Sequence, residues 1–318
     1  MICCAIFMAT FAIAAVYMRG KGGEWGDRLL GGGAPTDATT AGNSTAEPNG
    51  TEQNETPPPP TGTPIVSMDL SYPELGREYL HNETPYSPSV EELLTRPLLL
   101  TENEGQIQVL ILHTHTSEAY LTNPQTHIAE TVGDATYSSD EERNLLAVGR
   151  VLCETLNEKG VTAIHCTVTH DEPTLNGSYG RAAETVRRYL DRYPGITYVI
   201  DLHRDAILTG KGEYVRTLAE GAERPTAQVM AVVGSNCNEP EHEAWEENLA
   251  LALQLKERLN QRLPSLCRPV SLRKASYNQE LAPRYLLLEI GSGANTVEEA
   301  KEAARLVGEV LGELLQER

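Results

Sequence analysis

Phenylalanine and tryptophan are scarce in this chain, with two of each in 318 residues. A core must therefore rest on Leu, Val, Ile, Ala and the 13 Tyr. Positive charge is also short: Lys and Arg number 26 against 45 Asp and Glu, a formal net charge of -19. No basic stripe is present, so the electrostatic footprint of a nucleic-acid binder is missing. The same acidity works against attachment to an anionic membrane surface, leaving hydrophobic insertion as the route to a bilayer. There is no C-x-x-C pair and no zinc-finger spacing. Cys153, Cys166, Cys237 and Cys267 are scattered and read as small buried apolar side chains. One disulfide in an oxidising compartment stays open.

One long uncharged run opens the chain: "MICCAIFMATFAIAAVYM", residues 1–18. Its length falls within the roughly 17–25 residues that span a bilayer. A secretory signal would begin with basic residues and end at a small-residue cleavage site. Here Arg19 and Lys21 follow the run instead. We expect a transmembrane anchor over residues 1–18. The positive-inside rule, taken literally, would leave the rest of the chain in the cytoplasm. The next segment argues otherwise. Residues 19–65 are rich in Gly, Thr, Asn and Pro and offer almost nothing to bury. Such a composition cannot offset its ordering entropy and predicts a disordered tether. A long tether after one span suits a domain that reaches away from the membrane. The expected placement is thus a single-pass cell-membrane protein with its folded domain extracytoplasmic. The sequons at Asn43, Asn49 and Asn54 read as chance matches in so Asn- and Thr-rich a stretch. Residues 66–104 are transitional, and "SVEELLTRPLLL" predicts a short helix stopped before Pro97.

From residue 105 to 318, strand and helix patterns alternate. Strands are expected at 107–112, 161–168, 196–203, 226–234 and 284–291, each a short aliphatic run. Helices are expected at 140–160, 177–195, 241–263 and 296–317, with apolar residues at helical spacing. This alternation implies an α/β fold: a single domain with a mostly parallel twisted sheet flanked by helices. In open sheets of this kind, functional groups gather at the carboxyl ends of the strands.

Three of these strands end in polar residues. The first gives His113-Thr-His115-Thr-Ser-Glu118, the third Asp201-Leu-His203-Arg204-Asp205, and the last carries Glu289. Catalytic zinc takes three protein ligands from His and carboxylate and keeps one position for water. A further carboxylate then serves as general base and acid. His115, Glu118 and His203 supply such ligands, and Glu289 such a carboxylate. Each alone has a bland reading: a strand-end His bonded to backbone, or a capping Glu. The joint pattern is the stronger signal. His113 is an open candidate for metal contact. His81, His127, His165, His170 and His242 lie in less selective positions and read as structural or exposed.

The motifs "HTHTSEAY", "DLHRDA" and "SYNQELAPRYLLLEIGSGANT" resemble those of the stage II sporulation protein P family, membrane-anchored cell-wall hydrolases of endospore formers. That family is similar in turn to the zinc-dependent N-acetylmuramoyl-L-alanine amidases. The resemblance covers about residues 105–318. It implies hydrolysis of the amide between the muramoyl lactyl group and L-alanine in peptidoglycan, and the family is also credited with cutting stem-peptide cross-links. By motif, His115 and His203 would be zinc ligands and Glu289 the catalytic Glu. The third ligand is Glu118 by the sporulation motif; the amidases place a Glu at the start of the first long helix, which would be Glu141 or Glu142. The H-x-x-E then His pattern also resembles zinc carboxypeptidases. Two features depart from the amidases: their Gly-His-Gly-Gly loop is replaced by "HTHTSE", and "GSGANT" lacks their aromatic residue. Arg204, Asp205 and Asn295 read equally as substrate contacts or as salt-bridging and capping residues. The resemblance further implies Zn2+ as cofactor and stage II sporulation proteins D and M as partners.

Two other readings stand beside this one. His-x-His also opens binuclear metallohydrolase motifs, although Ser117 and Glu118 stand where the second metal's Asp and His belong. A non-catalytic peptidoglycan-binding domain would keep the fold but has no need of Glu289.

Overall fold

Val109 to Leu112 are all completely buried. An aliphatic run with no polar side is satisfied only inside a sheet covered on both faces. That requirement shapes the whole molecule in the computed structural model, which describes residues 62–71, 79–98, 106–129, 136–238 and 240–316. The expected anchor over 1–18 and the tether through residue 61 lie outside the described residues. Among the described residues no helix is long and apolar enough to cross a membrane.

The elements run β1 (Thr63–Met68), β2 (Leu80–Asn82), α1 (Val90–Thr95), β3 (Val109–Leu112), β4 (His127–Ile128), α2 (Leu145–Glu158), β5 (Ala163–His165), α3 (Ser178–Arg192), β6 (Tyr198–Asp205), β7 (Tyr214–Thr217), β8 (Val229–Gly234), α4 (Trp245–Arg262), β9 (Val270–Arg273), β10 (Tyr285–Ser292) and α5 (Val297–Leu314). Seven strands form the main sheet in the order β2-β9-β8-β10-β6-β3-β5. Every neighbouring pair is parallel except β8 with β10. The expected mostly parallel α/β sheet is therefore present, with one reversal in its middle.

Alternate residues along a strand leave opposite faces of the sheet. One face carries Ile111, Ile200, Leu202, Ala231, Leu286, Leu288 and Ile290, packed with buried residues of α2, α4 and α5 in the largest core cluster. The other carries Leu110, Leu112 and Val199, which pack with Ala182 and Val186 of α3. On that second face β6 continues with Asp201, His203 and Asp205, where an apolar pattern would have continued with aliphatics. Helix ends are fixed locally. Thr296 accepts from the Glu299 backbone N–H while Glu299 reaches back to the Thr296 N–H, a capping box that starts α5. Asn144 caps α2 by accepting from Leu146 N–H.

Three features differ from expectation. A second sheet of three strands, β4-β1-β7, was not legible in the apolar pattern. β1 begins at Thr63, inside the stretch expected to be tether, and β2 lies in the segment expected to be transitional, whose expected short helix before Pro97 is α1. These strands are short and partly exposed, so their stability comes from partners distant in sequence: β1 pairs with β7 and β2 with β9. Among the described residues Cys153, Cys166, Cys237 and Cys267 are free, with Cys166 and Cys267 buried.

Candidate active site

Asp201 is completely buried in the middle of β6. It accepts from the Thr114 backbone N–H at 2.8 Å and the Thr114 hydroxyl at 2.6 Å. These bonds tie the turn after β3 to the adjacent strand. Burial alone would raise the Asp201 carboxyl, but His203 and the Thr114 bonds bring it below its ordinary value. His203 follows two residues later on the same face, its Nε2 lying 3.2 Å from Asp201 Oδ1. Its Nδ1 faces Glu118 Oε2 at 3.8 Å. Burial would lower His203, yet Asp201, Glu118 and Glu289 together raise it to about 9. Three carboxylates thus favour positive charge at this point.

Glu118 reaches the site because the turn after β3 folds back. Its backbone N–H donates to His115 O at 3.0 Å, and its Oε2 accepts from the Arg204 backbone N–H at 3.1 Å. The His115 ring stands edge-on to His203, with centroids 5.2 Å apart. Its Nδ1 lies 3.3 Å from Ser178 Oγ at the start of α3. Burial lowers His115, with Glu118 the largest opposing influence. Glu289 pairs in register with His203 across β10 and β6. Its Oε2 is buried with no hydrogen-bond partner among the described residues. Burial, then the Asp205 charge, raise this carboxyl to about 8.

The structure thus gathers His115, Glu118, His203 and Glu289 on one sheet face. Glu141 and Glu142, the alternative third ligands, are exposed instead, and Glu142 pairs with Arg150 at 2.9 Å. They precede α2 in a turn that points outward. His113 is turned inward: its Nδ1 donates to Leu202 O at 3.3 Å, which leaves Nε2 to accept from His165 Nε2 at 2.8 Å. Both ring nitrogens are taken. His170 is also structural, bridging the His113 carbonyl at 2.7 Å and the Thr185 hydroxyl at 3.0 Å. Arg204 stacks its guanidinium over Tyr137 at 5.0 Å, and Asp205 pairs with Arg268 at 3.0 Å. Asn295 is bound on all sides: its Oδ1 accepts from Thr217 and Ser292, and its Nδ2 donates to Thr217 O and Glu299. That is an anchoring residue for β7 and α5.

Two aromatic side chains complete the site without having been singled out in sequence. Tyr179 stacks on His203 at 6.4 Å and meets His115 edge-on at 5.5 Å. Tyr277, in a left-handed conformation at φ 55°, lies 6.1 Å from Tyr179. Asp201 did carry a signal, being a charged residue inside an aliphatic strand and in phase with His203.

The donor set of two imidazoles and a carboxylate fits zinc in chemistry, and Asp201 stands where a carboxylate orients a ligating His. Among the described residues, no group of three or more His, Cys, Asp or Glu is arranged to hold a metal ion as it stands. The fit is therefore one of donor type and neighbourhood.

A family model described as "Stage II sporulation protein P" matches residues 36–312. A curated stage II sporulation protein P of Bacillus subtilis (strain 168) is 27% identical over 217 residues, which cover 65% of this chain and 50% of that protein. The chain thus matches about half the length of that relative. Among solved structures, an N-acetylmuramoyl-L-alanine amidase of Nostoc punctiforme is similar with a TM-score of 0.39 and 15% identity, covering 68% of this chain and 100% of that one. An amidase of Mycobacterium abscessus gives a TM-score of 0.41 at 15% identity, covering 66% of this chain and 99% of that one.

Proposed function

The chain belongs to the stage II sporulation protein P family, and from that premise we propose that it is a zinc-dependent peptidoglycan hydrolase that cleaves the N-acetylmuramoyl-L-alanine amide during sporulation. The observation that carries this reading is the gathering of His115, Glu118, His203 and the partnerless Glu289 on one sheet face. A peptidoglycan-binding module has no use for a buried carboxyl without a partner.

His115, Glu118 and His203 would hold the zinc, with Asp201 orienting His203. Zinc, when bound, supplies carbonyl polarisation and a more acidic water. Glu289 takes one proton from the attacking water as the C–O bond forms. It then delivers that proton to the alanine nitrogen as the C–N bond breaks. The products are the lactyl carboxylate and a stem peptide with a free amino terminus. Burial and the Asp205 charge raise this carboxyl above its ordinary value, which suits it to hold the proton between the two steps. Tyr179, packed on both histidines, limits their rotation. The tether and anchor would place this chemistry outside the cytoplasm, where its substrate is.

The test is digestion of peptidoglycan by the purified full chain, with products identified by mass spectrometry. Stem peptides with free L-alanine termini should appear, stop with chelator and return with zinc. Glu289→Gln should abolish release while the thermal transition persists. Release that continues unchanged in chelator, or in the Gln variant, would sink the mechanism. Loss of cross-linked dimers would add endopeptidase action.

A further inference from the structure

Arg268 lies in the segment between α4 and β9, and only 4% of its surface is exposed. Its backbone is pinned there, donating to Val229 O at 2.8 Å. Its guanidinium has five N–H donors in a planar fork, yet one partner accounts for it: Nη1 donates to Asp205 Oδ2 at 3.0 Å. Nε and Nη2 are buried and have no partner among the described residues. A purely structural arginine buried to this degree is ordinarily bonded along its whole fork, because each unmet donor carries a desolvation cost.

The position of the fork gives these free donors a meaning. Asp205 is two residues beyond His203 on β6, so both side chains leave the same face. Glu289, on the neighbouring strand, feels both Asp205 and Arg268. Its own unpartnered Oε2 does not accept from Arg268. The site therefore holds an unmet fork of donors on the same sheet face as the carboxyl assigned to proton transfer. Asp205 fixes the fork and neutralises only part of its capacity. Two parallel N–H donors match a carboxylate, which accepts bidentately. A neutral amide at the same place would offer one acceptor oxygen and a competing donor.

We propose that Arg268 is a specificity residue that docks a carboxylate of the stem peptide, presented by Asp205 beside Glu289. This inference rests on the peptidoglycan-hydrolase reading. The stem peptide departing from the muramoyl group carries carboxylates a few bonds from the scissile amide, so the substrate supplies the matching group.

The experiment compares two muramoyl-tripeptides on the zinc-loaded full chain, one with its peptide carboxylates free and the other with them amidated. The free form should be preferred by about ten- to a hundredfold in kcat/KM, chiefly through KM. Arg268→Lys, which keeps the charge and loses the fork, should bring that ratio towards one. A wild-type ratio near one overturns the assignment, and so does a ratio that Arg268→Lys leaves intact. The wild-type comparison stands even if the variant does not fold. If neither peptide is cleaved, the hydrolase reading fails separately. Calorimetric Kd values for the two peptides then decide: tighter binding of the free form, lost in Arg268→Lys, supports the docking role, and equal affinity overturns it.

Discussion

Asp201 shows how one side chain can organise a site without touching the reaction. It is fully buried, holds the Thr114 turn by two bonds and faces His203. A carboxylate behind a ligating imidazole fixes the ring and raises its basicity, and removing such a partner usually weakens metal binding about 10- to 100-fold. Asp201→Asn preserves shape and the Thr114 contact at one oxygen while removing the charge. It should lower zinc affinity by about that factor, measured by competition with a chromogenic chelator. Undiminished affinity would show that His203 is not held through Asp201. His115, Glu118, His203 and Glu289 could be singled out in sequence because each lies in an aliphatic strand or in the turn just after one, where a polar group has no packing role. Tyr179 and Tyr277 were not, because an aromatic at a helix start or in a loop looks the same whether it packs on a core or on the imidazoles of a candidate site. The outward position of Glu141 and Glu142 likewise depends on the turn before α2, which spacing does not encode.

At the scale of elements, helix α2 is set against the site by a glycine. A Cβ on Gly149 would stand 2.6 Å from both His113 Nε2 and His165 Nε2. Those two rings bond to each other at 2.8 Å, and His113 also joins the end of β3 to β6 through Leu202. Gly149→Ala should therefore push α2 off the sheet or part the two rings, lowering stability by about 1–3 kcal/mol. Gly180, on α3, has nothing among the described residues within 4 Å of its added Cβ. Gly180→Ala should be neutral or stabilising by up to about 1 kcal/mol, because alanine is the better helix former. Thermal denaturation of the two variants, measured side by side, checks both. An unchanged transition in Gly149→Ala would show that α2 does not pack as closely as described. The long elements were legible for a simple reason: α2, α3, α4, α5 and the buried strands each carry their own period. β1, β2, β4, β7 and β9 do not, since two to six residues hold too few repeats and their pairing partners are far away in the chain. The direction of β8 was also hidden, because an aliphatic strand reads the same in either orientation.

At the scale of the whole molecule, acid stability should be governed in part by histidines that folding keeps neutral. His242, almost completely buried, accepts at Nε2 from the Asn248 side-chain amide at 3.3 Å. The same Asn248 accepts the Tyr285 backbone N–H at 2.9 Å, so it cannot turn its amide round without losing the start of β10. A proton on His242 Nε2 would therefore face a donor, and burial lowers the ring from 6.5 to about 4. Above pH 6.5 the ring is neutral whether the chain is folded or not, and it adds no pH dependence. Between that value and about 4, the unfolded chain binds a proton that the folded chain refuses, so stability falls as the pH falls. Below about 4 both states are protonated and this contribution levels off. One proton of difference corresponds to a slope of about 1.4 kcal/mol per pH unit. Protonation of the many carboxylates changes stability over an overlapping range, so the wild-type curve alone does not isolate the ring. The difference between wild type and His242→Gln does. Urea unfolding of both from pH 7.5 to 4 should give curves that are parallel above 6.5 and converge below it, as the wild type loses an advantage the variant never had. Curves that stay parallel throughout would mean that His242 takes its proton as readily folded as unfolded, and that the link from α4 to β10 is looser than the Asn248 bonds imply.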